Sequence, residues 1–178
     1  MNVLRYETPE KEFKQYTDKP IVFLAGPTVR GNQPHLTSWR FAAIEEFERQ
    51  GFDGTLIVPE FVSKFESDQY RYDIPEWEFA GLKIADCIMF WIPRTRELIG
   101  LTTNWEHGYW VARDRGKIVY GRPDDAYRMN YLDIMWRADA AESNTYNIDD
   151  RIYNELSETI SASITLAKRK HYFKLNDG

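Results

Sequence analysis

Short, continuously apolar runs alternate along the chain with longer stretches whose apolar residues recur every three or four positions. The first run, Ile21–Ala25, is rich in strand formers and stops at Gly26-Pro27, a pair that neither extends a strand nor sits inside a helix. Ser38 is placed to cap a helix with Phe41, Ile44 and Phe47 on its apolar stripe, and Gly51 is placed to end it. Residues 55–59 read as a second strand, and residues 74–85 as a helix that tolerates Pro75 in its first turn. Residues 87–92 are apolar at successive positions, the pattern of a parallel strand covered on both faces. A helix over 105–113, a fourth strand over 117–120 and a helical segment over 131–136 follow. The spacing of Ile152, Leu156, Ile160 and Ile164 predicts a last helix over 149–167.

Strands alternating with helices in this way predict an α/β fold. The expected architecture is a doubly wound parallel sheet of four to five strands with helices on both faces. Residues 1–19 read as an irregular lead-in to one domain over 20–178. Ligands of such sheets bind beyond the carboxyl ends of the strands. Attention therefore falls on the loops at 26–35, 59–73, 93–104 and 121–130.

Composition narrows the function. The net charge of −5 offers no basic field for long nucleic acid, while leaving small ligands open. The longest apolar runs are too short to span a bilayer, so no membrane association is expected. The single cysteine, Cys87, cannot form an internal disulfide, and the first nineteen residues lack a signal peptide's apolar core. A cytoplasmic, reduced setting is the expectation. His35, His107 and His171 lie far apart without metal-ligand spacing, so neither a metal nor another cofactor is expected. No dinucleotide fingerprint, phosphate loop or serine elbow is present.

Several residues at the expected ligand edge could carry chemistry. Gly26 would let a ligand approach the backbone, or would serve only as a tight strand exit. Glu106 falls in the first turn of the helix predicted after the third strand, where the helix dipole would keep a carboxylate ionised. An ionised carboxylate at the mouth of a sheet suits a glycosidase nucleophile. Thr103 followed three residues later by Glu106 also spells a capping box, and the spacing alone favours that role. Glu76, Glu78 and Asp86 flank the helix before the third strand, and Glu78 is a candidate for the acid that protonates a leaving base. Arg94 and Arg96 follow that strand and could either fork onto a phosphate or remain loop charges.

The order of segments resembles the nucleoside 2-deoxyribosyltransferase-like proteins. The resemblance rests on Phe23-Leu24-Ala25-Gly26-Pro27-Thr28, Ser38-Trp39-Arg40, Gly51-Phe52-Asp53-Gly54, Val58-Pro59-Glu60, Glu76-Trp77-Glu78, the stretch from Ala85 through Arg94, and Leu101-Thr102-Thr103-Asn104-Trp105-Glu106-His107-Gly108. It implies a flavodoxin-like sheet and a double displacement. Glu106 attacks the anomeric carbon, the base leaves, and a second nucleobase or water takes the sugar. The family's assisting Asp becomes Glu78, its first-strand Tyr becomes Phe23, and a further Asp falls on Gly100, with Thr103 or Asn104 as possible substitutes. Gly26 and Pro27 fall in the matched substrate loop. Arg30, Arg94 or Arg96 would suit a phosphate-bearing substrate. Asn130 matches a residue donated across a subunit interface, which implies a homo-oligomer with shared sites. The chain ends Asn176-Asp177-Gly178 rather than in the family's terminal Tyr. The implied activity is 2'-deoxyribosyl transfer between nucleobases. Hydrolysis of a nucleoside 5'-monophosphate, or silent nucleotide binding, are the alternatives.

Overall fold

The computed structural model describes residues 1–30, 32–33, 35–62, 73–142 and 150–176. Gly31, Pro34, most of the loop expected over 59–73, the Asp149 start of the last helix, and Asp177-Gly178 of the chain end lie outside the described residues. Among the described residues five strands form one parallel sheet: β1 (Asn2–Leu4), β2 (Ile21–Ala25), β3 (Thr55–Ile57), β4 (Cys87–Trp91) and β5 (Ile118–Gly121), in the spatial order β1-β3-β2-β4-β5. The α-helices of the described residues are α1 (Trp39–Arg49), α2 (Ile74–Ile84), α3 (Leu101–Asp114), α4 (Asn130–Glu142) and α5 (Leu156–Asn176). This is the flavodoxin-like doubly wound fold, with helices on both faces.

Strand alternation sorts the core into two layers. Val22 and Leu24 of β2 point to one face with Met89, and pack with Trp39 and Phe47 of α1 and Ile160 and Ile164 of α5. Ile21, Phe23 and Ala25 point to the other face with Ile88 and Phe90, under Trp77 of α2, Trp110 of α3 and Trp136 of α4. Both faces of β2 and β4 are therefore buried, which is why their sequences are apolar without alternation.

Several elements differ from their sequence expectations. The lead-in is not irregular: β1 pairs with β3 from Asn2↔Thr55 to Leu4↔Ile57, and a 3-10 helix follows at Glu10–Tyr16 with Phe13 buried. Helix α1 is capped by Ser38 as expected, but its buried face is Trp39, Arg40, Ala43 and Phe47, and Phe41 is exposed. Helix α5 begins at Leu156, so Ile152 leaves the α5 stripe and packs on the opposite core. Among the described residues no helix is long and apolar enough to cross a membrane.

The chain passes from β2 to β3 on one side and reaches β4 on the other. The segments leaving Ala25 and Trp91 consequently diverge at a topological switch point between paired strands. A crevice opens there.

Candidate active site

Two glycines shape the crevice. Gly26 turns the chain out of β2 at φ 152°, and a Cβ there would collide with the Trp91 carbonyl and the Trp39 ring. The strand-exit role foreseen for Gly26 and its place on the pocket wall therefore coincide. Gly81 lets α2 settle close to the sheet, since a Cβ would meet Phe23 and Ile57 at 3.0 Å. That approach brings Glu78, one turn earlier on α2, over the end of β2.

Helix α3 begins four residues before the expected Trp105. Its N-cap is Gly100 in a left-handed conformation with φ 61°, and no side chain caps it. Thr103 is thus inside the helix, and Glu106 lies in the second turn, beyond reach of a capping box. The competing role for Glu106 disappears, and so does the first-turn dipole argument for its ionisation.

Glu106 and Glu78 instead line one narrow pocket with Phe23, Gly26, Arg40 and Thr102. Burial pushes the Glu106 carboxyl from 4.5 up to about 8; the Glu78 charge adds to the rise and the Arg40 guanidinium opposes it. Burial also raises Glu78, against the Tyr6 hydrogen bond and the charges of Arg40 and Arg30. Each carboxyl is half-buried. Glu106 is not held ionised in the way the sequence suggested.

Arg40 builds the floor. It is 1% exposed, and its Nε donates to the Leu24 carbonyl at 3.0 Å. Its Nη2 donates to the Gly26 carbonyl at 2.9 Å, and its Nη1 to Glu60 Oε1 at 2.9 Å and Thr28 Oγ1 at 3.2 Å. Ser38 Oγ donates to the same Glu60 carboxylate at 2.7 Å. A buried charge pair satisfied this fully fixes the exit of β2 and leaves positive potential facing the two glutamates.

The narrow pocket holds about 30 Å³, room for a reacting atom and little more. It shares Thr28, Glu78 and Thr102 with a cavity of about 1040 Å³ lined also by Tyr6, Arg30 and Phe61. That span accommodates a ligand of nucleotide size.

The predicted residues divide accordingly. Phe23, Gly26, Glu78 and Glu106 meet in the narrow pocket, while Arg30 lines the wider cavity. Pro27 is buried behind Gly26, its carbonyl accepting from Trp39 Nε1 at 3.0 Å. Thr103 is buried on α3, and Thr102 takes the place facing the pocket. Arg94 is buried and donates to Asn104 Oδ1, so these two engage each other and line neither cavity. Asn130 is exposed at the start of α4 and lines neither. Asp86 sits at the opposite end of the sheet, accepting from the Ile21 N–H at 2.9 Å. Sequence reasoning passed over Arg40, although it lies in the Ser38-Trp39-Arg40 match, and over Tyr6, for which the lead-in gave no signal.

A family model described as nucleoside 2-deoxyribosyltransferase like matches residues 19–125, more than half of the chain. The chain belongs to this family. The match spans β2 through β5 and includes both pocket glutamates. No curated protein matches the chain. Family membership points to nucleoside deoxyribosyltransferase-like chemistry on small nucleoside substrates.

Proposed function

We propose that this family member breaks the N-glycosidic bond of a (deoxy)nucleoside or nucleotide through a glycosyl ester on Glu106, and passes the sugar to a second nucleobase. The supporting observation is a pair of desolvated carboxyls, Glu106 and Glu78, in one pocket, with Glu106 released from any capping duty. The first half-reaction starts from the one-proton form of the pair in which the proton sits on Glu78, and the ionised Glu106 oxygen attacks C1'. The C1'–N bond breaks with its electron pair going to the base, and the base nitrogen takes the Glu78 proton. In the second half-reaction an incoming base nitrogen attacks C1' and gives its proton to Glu78. The C1'–O bond breaks and returns the Glu106 carboxylate. Arg40 compensates charge on both carboxylates in turn.

Arg30 on the wall of the wide cavity favours a second reading, hydrolysis of a nucleoside 5'-monophosphate, in which water takes the sugar and the cation faces the phosphate. Asn130 stands exposed on α4 beside exposed Tyr131 and Ile134, which supports a homo-oligomer in which Asn130 reaches a neighbouring site. Mixing inactive Glu106→Gln and Asn130→Ala chains would then restore part of the activity.

The experiment incubates the protein with deoxynucleosides and deoxynucleotides, with and without acceptor base, and measures free base and new nucleoside. Base release lost in Glu106→Gln, with a glycosyl adduct mapped to Glu106, is the expected result. New nucleoside formed with acceptor indicates transfer, and base release from monophosphates alone indicates hydrolysis. Saturable binding with no base released from any substrate overturns the enzymatic reading and leaves a silent nucleotide-binding module.

A further inference from the structure

The N-terminal segment delivers a group to the pocket from outside the family-matched residues 19–125. Strand β1 pairs with β3, and the ladder continues beyond it: the Val58 N–H donates to the Leu4 carbonyl at 2.8 Å, and the Tyr6 N–H to the Glu60 carbonyl at 3.4 Å. Tyr6 is thereby tied to the same Glu60 that anchors Arg40. Its ring packs edge-on to Trp77, with centroids 5.0 Å apart, and against Phe61 at 4.9 Å. Its hydroxyl donates to Glu78 Oε1.

We infer that Tyr6 is a positioning residue for the acid step: by occupying Oε1 of Glu78 it leaves Oε2 as the oxygen that carries a proton toward the leaving base. The inference rests on the proposed N-glycosidic reaction. It also accounts for a polar group supplied beside a pocket whose own β2 side chain is the ring of Phe23. The groups acting on Glu78 are Tyr6 from the N-terminal segment, Arg40 from α1, Arg30 from the loop after β2, and Glu106 from α3. Tyr6 is the one that forms a hydrogen bond to it among the described residues. A hydroxyl on the carbonyl oxygen of a neutral carboxyl polarises the acid and fixes its orientation, and loss of either slows proton delivery without touching the nucleophile.

The test uses Tyr6→Phe, which keeps the ring and its packing, alongside Glu78→Gln and the double variant. Each is assayed by single-turnover base release from an ordinary purine nucleoside. The second substrate is its N7-methylated counterpart, whose base already carries positive charge and departs without a proton. Tyr6→Phe should slow the ordinary substrate by about ten-fold or more, the scale of one hydrogen bond to an ionisable group. The deficit should shrink to within about two-fold on the methylated substrate, and Tyr6→Phe should add nothing in the Glu78→Gln background. Equal slowing of both substrates, or full additivity with Glu78→Gln, would overturn the positioning role. If Glu78→Gln itself shows no leaving-group dependence, or Glu106→Gln still releases base, the proposed reaction fails rather than the role of Tyr6.

Discussion

Replacing Glu106 by glutamine should abolish activity and make the protein more stable in alkaline solution. Glutamine keeps the shape of the side chain and carries no charge. In the folded protein the carboxyl holds its proton until about pH 8, whereas in the unfolded chain it releases it near 4.5. Between those values the folded state binds more protons than the unfolded state, so wild-type stability falls as pH rises. Below the interval both states are protonated and the contribution is intact. Above it both are ionised and the loss is complete. At 1.36 kcal/mol per pH unit the full interval corresponds to about 4–5 kcal/mol. Solvent reaching a half-buried carboxyl reduces that to roughly 2–4 kcal/mol.

Urea unfolding of both proteins from pH 4 to pH 9 measures the difference directly. The two should differ by less than about 0.5 kcal/mol at the acid end, with the glutamine variant ahead by roughly 2–4 kcal/mol at the alkaline end. The slope of free energy against urea should be unchanged. A gap that is absent at pH 9, or as large at pH 4 as at pH 9, would refute the reasoning. The carboxyl would then be solvated, and the desolvated pair on which the functional proposal stands would not exist. A stabilising loss of the proposed nucleophile is also what an active site that stores unfavourable electrostatics should show.

The pair holds one proton between the raised titration of Glu78 and about pH 8, and within that form the arrangement with the proton on Glu78 contains both the proposed nucleophile and the proposed acid. A plot of kcat/KM against pH should therefore be bell-shaped with its alkaline limb near 8, and Glu78→Gln should turn the bell into a single rise. Arg40→Met leaves the buried Glu60 carboxylate without its cation and takes a donor from the Leu24 and Gly26 carbonyls, and should cost about 3–5 kcal/mol in urea unfolding. Gly100→Asp, which restores the carboxylate expected from the family pattern, forces a Cβ to within 2.7 Å of Pro27 Cβ at a φ of 61°. It should lower stability by about 1–3 kcal/mol without raising the rate of base release.

The central strands were legible because burial on both faces writes an unbroken apolar run, as in Ile21–Ala25 and Cys87–Trp91. Edge strand β1 was not legible: three residues of mixed burial carry too few positions to show a period, and their pairing with β3 is a long-range choice. The stripe of α1 was misread by taking Phe41 as core, because the buried Arg40 on the true face looks like a surface charge in sequence. Its burial depends on partners at Leu24, Gly26 and Glu60 that no local pattern announces. The start of α3 was misplaced because Gly100 caps it through backbone conformation, leaving Thr103 to imitate a cap.

Residue type and order were enough to single out Glu106 and Glu78; their protonation was not, because it is set by what surrounds them. Two departures from the family pattern bear on that environment. Phe23 presents a ring where a hydroxyl was expected, and Gly100 lies too close to Pro27 for any side chain. Both changes remove polar groups beside Glu106, and a drier surround raises its carboxyl as found. The same dryness would protect a glycosyl ester from water until a base arrives. The two departures thus fit transfer better than hydrolysis, provided a proton can still reach the leaving base. The Tyr6 hydroxyl on Glu78, entering from the segment that follows the added edge strand, meets that condition.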